Sequence, residues 1–478
     1  MGRSARRARV SQDVLADDPF AELLAERASE PYPGLRPFKK GEWSIFFGRE
    51  RMIDDVIERL ARQRLILIHG ASGSGKSSLV RAGVLPRLAR QFQRHGAAWG
   101  TATMRPSGGP LWNLARALAL LDGRTDDADH IASIVRRFNA RDASLGGMAG
   151  EISALKGKSL CLLVDQFEEL FRFERETSRE EAELFVDLLA GAVSSSNEAS
   201  NADIHVIITM RSEFLGECAR FDGLADTINQ TQYLVPRMEH DALMRAVRRP
   251  AQLYNGFIDE TLADRLISSV AGRVDELPLL QHGLMLLWRD AEARTPPGEK
   301  LVVRGDIVDE AGGLADLLSH HASAVLADVA RDERQTTVAA SLFRALTDVN
   351  AEGAAIRRPQ TFRDLVATAG GDAETARNVL DAFRAPEAAL ITPYAPAEIT
   401  NSTVIDISHE ALIRCWRKIS SPEDGWLKQE FDDGLAWRSL RVEADAHARD
   451  ARHTLPAATT RDLQRRFERS NENWSLRY

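Results

Sequence analysis

The stretch Gly70-Ala-Ser-Gly-Ser-Gly-Lys76-Ser77 fits the pattern G-x-x-x-x-G-K followed by Ser or Thr. Each residue type at that spacing suits the holding of a polyphosphate. Gly70, Gly73 and Gly75, with Ser72 and Ser74 between them, let backbone N–H groups turn inward onto phosphate oxygens. The positive end of the helix that follows adds to this attraction. Lys76 is spaced to reach the β- and γ-phosphates and the Ser77 hydroxyl to bind Mg2+, and Ser78 beside it is a further nucleotide-binding candidate. A second group closes the run "SLCLLVDQFEELF", where an apolar strand ends on Asp165. A P-loop enzyme needs a carboxylate facing its metal at that point. Glu168 and Glu169 follow three and four residues later. Either could orient or deprotonate an attacking water, with Glu169 the first candidate, and both also suit the first turn of a helix. Arg211 follows the strand "HVIITM". It could present a cation to the γ-phosphate, or pair with Glu213 or another carboxylate.

These residues need a scaffold that gathers strand ends. Strand-sized apolar runs occur at "RLILI", "WGTATM", "LCLLV", "HVIITM" and "QYLVP", separated by helical stretches. That alternation implies an α/β core, a mainly parallel five-stranded sheet with covering helices. In "RERMIDDVIERLARQ", Met52, Val56, Ile57 and Leu60 share one helical face. The helix opened by "GKSSLV" is expected to kink or end at Pro86. From Arg237 the pattern turns helical, through "ELPLLQHGLMLLWRDAEAR" and on through "SLFRALTDV". Between roughly 335 and 418, helices lead into the strand-like runs "ALITPY" and "STVIDISHE", the order of a winged helix. A long helix beginning at "GWLKQEF" and a polar tail finish the chain. The expected organisation is a disordered charged tail over 1–30, a P-loop NTPase domain over 31–236 and a helical lid over 237–325. A winged-helix domain over 326–418 and a C-terminal helical extension over 419–478 follow.

At 478 residues the chain exceeds what one compact core organises. Its 44% hydrophobic and 28% charged residues are those of a soluble globular protein. A net charge of −8 argues against a surface that coats nucleic acid. No apolar run approaches the ~18 residues of a membrane span. Cys161, Cys218 and Cys415 lie far apart without paired spacing, which disfavours a disulfide framework or zinc site and suits a reducing cytoplasm. The basic start "MGRSARRARV" is followed by "SQDVLADDPF", where a signal peptide needs an apolar segment.

In chain order, "PYPGLRPF", "FFGRE", "GASGSGKSSLVRAGVLP", "LLVDQFEELF", "TMRSEF", "ELPLLQHGL" and "SHEALIRCW" resemble a STAND-class P-loop NTPase, of the novel STAND NTPase 1 type found in bacteria. The resemblance runs from about Pro31 to the helix after Trp416. It implies a switch: ADP holds a closed form built of NTPase core, lid and winged helix, and exchange for ATP opens a form that usually oligomerises. It implies ATP/ADP and Mg2+ as cofactors. Asp165, Glu168 and Glu169 match the spacing of the family's second nucleotide motif, whereas Gln166 departs from the Asp-Glu pair of fast ATPases and implies slow turnover. By the same resemblance Arg211 senses the γ-phosphate, and Phe47, Gly48 and Arg49 of "FFGRE" line the adenine pocket. Pro278 belongs to a lid motif touching the base, and His409 is a winged-helix histidine reaching the β-phosphate of ADP. Read from the residues alone, Pro278 is helix-start punctuation and His409 a structural histidine. STAND proteins usually carry an effector domain at one end and a repeat-built sensor at the other. Here these are expected as separate partners or as parts of a longer protein.

The function that follows is a cytoplasmic ATP-driven signalling switch, in bacterial regulation or anti-phage defence, that forms a homo-oligomer in the ATP state. The alternative is a nucleic-acid-associated ATPase whose winged helix reads DNA. Its recognition helix would be "AETARNVLDAFRA", where Ala376, Val379, Leu380 and Phe383 share one face and Glu374 and Asp381 balance Arg377 and Arg384. That balance suits phosphates poorly, so nucleic acid is not the expected partner. A metabolic NTPase or kinase leaves the lid and winged helix without a task.

Overall fold

A computed structural model of the chain describes residues 28–88, 98–124, 127–156, 158–194, 203–350, 353–467 and 472–478. The tail expected over 1–30 lies almost wholly outside them. The chain divides into two units, Pro37–Ala263 with the segment up to Pro31, and Asp264–Tyr478 with Tyr32–Arg36.

In the first unit the five apolar runs become β1 (Leu65–Gly70), β2 (Ala98–Met104), β3 (Lys158–Val164), β4 (Ile204–Arg211) and β5 (Gln232–Leu234). They form one sheet in the order β2-β3-β4-β1-β5, with every neighbouring pair parallel. Because both faces are covered, alternate residues of each strand enter different cores. Leu67, Leu162 and Val206 pack with Leu114, Phe138, Phe171 and Phe185 on one side. Ile66, Ile68, Leu163 and Ile207 pack with Val56, Leu60 and Val80 on the other. The second layer belongs to helix α1 (Glu50–Arg62), whose Val56, Ile57 and Leu60 face inward as their spacing requires, and to the helix α2 that opens at Lys76. Helix α2 does not stop at Pro86: it widens to π geometry over Leu79–Val84 and continues to Leu88. A widened turn is one way for a helix to admit a ring that lacks an N–H donor.

Parallel strands bring their C-terminal ends to one edge, where open α/β sheets bind ligands. β4 lies between β1 and β3, with Gly70 beside Arg211 and Val164 beside Ile208. Gly70, Asp165 and Arg211 therefore leave the sheet at the same edge.

The second unit contains helices α3 (Glu276–Arg294), α4 (Leu314–Val329) and α5 (Glu333–Ala345). The helix expected through "SLFRALTDV" ends at Ala345, and Thr347–Val349 instead forms strand β6 of an antiparallel hairpin with β7 (Ala355–Arg357). Its β-branched Thr347 and Val349 suit a strand. Strands β8 (Gln360–Thr361), β9 (Ile391–Thr392) and β10 (Val404–Ile407) make a three-stranded antiparallel sheet ordered β8-β10-β9, so the two expected strands gain a third. Helix α6 (Ala373–Arg384) buries Ala376, Val379, Leu380 and Phe383, the face its spacing predicts. Helix α7 (Glu410–Cys415) precedes the long α8 (Trp426–Arg449).

The end of the chain differs from the polar tail expected. It holds helices at Ala457–Phe467 and Glu472–Ser475, and Trp474 is buried. The reason is the buried carboxylate of Glu430 on α8, which accepts from Trp474 Nε1 (3.0 Å), Arg477 Nη1 (2.7 Å), Tyr478 Oη (2.8 Å) and Arg344 Nε (2.7 Å). Gly434, one turn on, leaves room for the Tyr478 ring, which an added Cβ would approach to 2.3 Å. Among the described residues no helix is long and apolar enough to cross a membrane.

Phe343 is fully buried at the centre of this unit, 4.8 Å from the rings of both Phe383 and Trp416 and 5.9 Å from that of Trp426. Phe343→Ala is expected to destabilise the second unit by about 3–5 kcal/mol. In urea unfolding, the transition followed by exchange protection of residues 333–426 should move to lower urea, while that of the five-stranded sheet stays in place.

Candidate nucleotide site

The loop after β1 is shaped by glycines. Gly73 (φ 73°) and Gly75 (φ 87°) occupy the left-handed region that a side chain disfavours. At Gly70 the constraint is space, since a Cβ would meet Ser74 Oγ at 3.0 Å and Val235 Cβ at 3.4 Å. Helix α2 starts as Leu79 N donates to Gly75 O at 2.8 Å. Lys76 Nζ donates back to the loop carbonyls of Gly70 (2.9 Å) and Ala71 (2.7 Å). Burial lowers its pKa to about 8. Ser78 Oγ accepts from Phe38 N at 3.2 Å and so fastens the end of "PYPGLRPF" to α2.

Arg49 braces this loop from within. It is 4% exposed, donates through Nη2 to Ser74 O (3.0 Å) and through Nη1 to Pro236 O (2.8 Å), and burial pushes its pKa down to about 10. Loop support is a role that neither the spacing nor the resemblance assigned to it. Gly48 beside it has φ 89°, and a Cβ there would lie 2.5 Å from Ala242 O. Phe47 is half-buried next to it in the chain.

Asp165, fully buried, ties four elements together. Its Oδ1 accepts from Ser77 Oγ (2.7 Å) and Thr209 Oγ1 (2.6 Å), and its Oδ2 accepts from Arg81 Nη2 (2.7 Å), with Arg105 Nε at 4.0 Å. Burial alone pushes this carboxyl up. Arg81 and Arg105, with the bonds from Thr209 and Ser77, outweigh that and hold it below the usual range. Thr209 also builds the turn off β3: its Oγ1 accepts from Gln166 N (3.0 Å) and its carbonyl from Phe167 N (2.9 Å). Gln166 sits at φ 59°, which is costly for a residue with a side chain.

The turn delivers Glu168 to Arg211, whose Nε lies 3.3 Å from Glu168 Oε1 and whose Nη1 lies 3.7 Å from Glu213 Oε1. Burial pushes the Glu168 carboxyl up, against the pull of Arg211 and Lys76, and its Oε2 makes no hydrogen bond. Glu169 N donates to Gln166 O at 3.0 Å and opens the helix Glu169–Glu176. Lys76, Ser77, Asp165, Glu168 and Arg211 thus form one cluster. Sequence reasoning missed Thr209, Arg81 and Arg105. A polar residue inside the apolar run "HVIITM" was a signal for the first, and the i,i+4 spacing of Arg81 from Ser77 for the second.

Pro278 and His409 belong to the second unit. Pro278 stands in the first turn of α3, and His409 caps α7, its Nδ1 accepting from Ala411 N at 3.1 Å. That bond leaves the ring proton on Nε2, and burial lowers the His409 pKa to about 4, so the ring is neutral. Its Nδ1 is 3.7 Å from Asp275 Oδ1, and Asp275 precedes α3. Arg414 grips the same carboxylate with two nitrogens, Nε at 2.6 Å and Nη2. One buried acid therefore joins the His409 turn to the helix of Pro278.

The arrangement around Lys76 can hold a polyphosphate with a divalent cation and orient a water. The lowered Lys76 pKa has a consequence for pH. Only its protonated form attracts phosphate, so nucleoside diphosphate affinity should hold up to about pH 8 and weaken above it as the proton is lost. Binding titrations across that range should show this slope in the natural chain and lose it in Lys76→Ala, along with most of the affinity.

The family described as novel STAND NTPase 1 matches residues 31–454. Among solved structures, the chain is similar to the ORC1 protein of Aeropyrum pernix in complex with DNA, at 12% identity over 78% of this chain and 93% of that one, with a TM-score of 0.40. It is similar to a Walker-type ATPase of Pyrococcus abyssi at 14% identity over 80% of this chain and 99% of that one, with a TM-score of 0.36. Drosophila ORC bound to DNA is similar at 13% identity over 86% and 94% of the two chains, with a TM-score of 0.34. No curated protein matches the chain in sequence. With its P-loop, its parallel sheet and a family match over most of its length, the chain belongs to the novel STAND NTPase 1 family of P-loop NTPases.

Proposed function

We propose that this NTPase is a regulatory switch that binds ATP with Mg2+, hydrolyses it slowly and uses the identity of the bound nucleotide to set its assembly state. The observation that carries the reading is the Asp165 cluster, where Ser77, Asp165, Glu168 and Arg211 converge beside Lys76. A loop hydroxyl bonded to a buried carboxylate fits a Mg2+–phosphate unit. Ser77 and Asp165 would hold the metal, which supplies charge neutralisation when bound. The loop N–H groups and Lys76 bind phosphate, and Arg211 senses the γ-phosphate through its pairing with Glu168. Glu168, whose carboxyl burial pushes up and which lies beside Arg211, is the better candidate than Glu169 to orient or deprotonate water. Gln166 in place of a second acid supports slow turnover.

The other roles follow the family resemblance. Phe47, Gly48 and Arg49 lie at the adenine side, Pro278 in the lid meets the base, and neutral His409 offers Nε2–H to the β-phosphate of ADP. Residues 237–325 act as lid and 326–418 as winged helix, both following the nucleotide. Moving such a switch from about 1% to 99% open requires ~10⁴-fold discrimination, or ~5.5 kcal/mol. The setting is cytoplasmic signalling, in bacterial regulation or anti-phage defence, with a homo-oligomer as the active form and a sensor or effector as partner.

Protein, and not nucleic acid, is the proposed partner of the winged helix. The arginines of α6 are engaged within their own unit. Arg384, 3% exposed, bonds Pro393 O, Ala397 O and Asp381, and Arg377 bonds Ile399 O at 3.2 Å while lying over the Phe362 ring.

Particle mass in solution tests the switch: a non-hydrolysable ATP analogue with Mg2+ should convert the ADP-bound species to a closed oligomer, and Lys76→Ala should block the conversion. Identical masses in both nucleotides would count against the reading. Duplex DNA should leave the mass unchanged; salt-sensitive complexes would favour the DNA-reading alternative. Glu168→Gln should bind ATP with near-natural affinity and lose about a hundredfold in hydrolysis, the lower end of what a general base contributes. Full hydrolysis in that variant, with loss in Glu169→Gln, would transfer the role to Glu169.

A further inference from the structure

Ser77 and Arg81 are four residues apart on α2, which places them on one face of the helix, and both reach Asp165. Their bonds differ in kind. On Oδ1 the carboxylate meets two neutral hydroxyls, Ser77 and Thr209; on Oδ2 it meets two cations, Arg81 at 2.7 Å and Arg105 at 4.0 Å. The Arg81 grip is single. Nη2 bonds Oδ2, whereas Nε makes no hydrogen bond, and the side chain is 26% exposed. The Arg414–Asp275 pair is a two-nitrogen fork, the geometry expected where a guanidinium is fixed for good. A one-point contact at a partly exposed side chain can be released, and it bears on the carboxylate that the proposed function gives to the metal.

We propose that Arg81, backed by Arg105, is a positioning residue that competes with the divalent cation for Asp165 and so sets the metal concentration at which nucleotide is held. The proposal rests on the reading that Ser77 and Asp165 serve Mg2+. Two positive charges near Oδ2 keep Asp165 ionised and in place, and they oppose a third positive charge beside it. Metal uptake then requires Arg81 to leave Oδ2, and the release of that contact reports metal occupancy to the rest of α2.

The test uses Mn2+ as probe, with free Mn2+ read by electron paramagnetic resonance in the presence of ADP and the full chain. Arg81→Gln should lower the Mn2+ concentration for half-saturation by about tenfold, the order expected for removing one like charge a few ångströms away. Arg81→Lys should stay near the natural value. Arg105→Gln, at a side chain 31% exposed and farther from Oδ2, should shift the midpoint in the same direction by less, and it carries the test if Arg81→Gln does not fold. An unchanged or raised midpoint in the glutamine variants, with ADP still bound, overturns the competition and leaves the nucleotide reading standing. Failure of the natural chain to bind ADP at any Mn2+ concentration overturns both.

Discussion

The nucleotide end of this protein is organised around one buried negative charge. Asp165 lies in a place where an isolated carboxylate would be unstable, and stripping a partner from such a group costs about 3–5 kcal/mol. Its compensation comes from four groups on three elements: Ser77 and Arg81 on α2, Thr209 on β4 and Arg105 after β2. Each contact constrains an element. The register of β3 against β4 must bring Thr209 under Asp165, and α2 must leave the loop at an angle that aims Ser77 at the same oxygen. The strained Gln166 turn is the local cost of handing the chain from that carboxylate to Glu168.

A second buried acid makes an instructive contrast. Asp275 is gripped by the Arg414 fork and flanked by His409, so it joins two helices with little freedom left. Asp165 is surrounded by hydroxyls and by an arginine holding on through one nitrogen. The first arrangement suits a structural joint, the second a site whose ligands change. The two acids occupy different units and divide these tasks between them.

Much of this was legible in the residues. The phosphate loop announces itself because its spacing carries its geometry: glycines where φ turns positive, lysine and serine where a helix begins. Asp165 was readable as an acid closing an apolar strand, and the five strands as apolar runs between helices. What escaped depends on partners distant in sequence. Thr209 looked like one polar residue in a strand, and only the β3–β4 register gives it Asp165 and Gln166 as partners. Arg49 also braces the phosphate loop, through the carbonyls of Ser74 and Pro236, 25 and 187 residues away, a role that no local spacing reveals. "NENWSLRY" looked polar because Trp474 and Tyr478 match no period, and their acceptor, Glu430, lies 44 and 48 residues away. Strand β8, two residues long, is too short for any periodicity to reveal.

The central claim is that this site keeps its nucleotide in order to report it. Phosphate release from ATP, followed through the first turnover with chain and nucleotide at comparable concentrations, addresses it most directly. A switch should give a burst of one phosphate per chain and then a much slower steady rate, because ADP stays bound until exchange. Linear release from the start, with no burst and a rate near the ~10 s⁻¹ of ordinary enzymes, would mean that the loop serves continuous turnover and that the switch account is wrong.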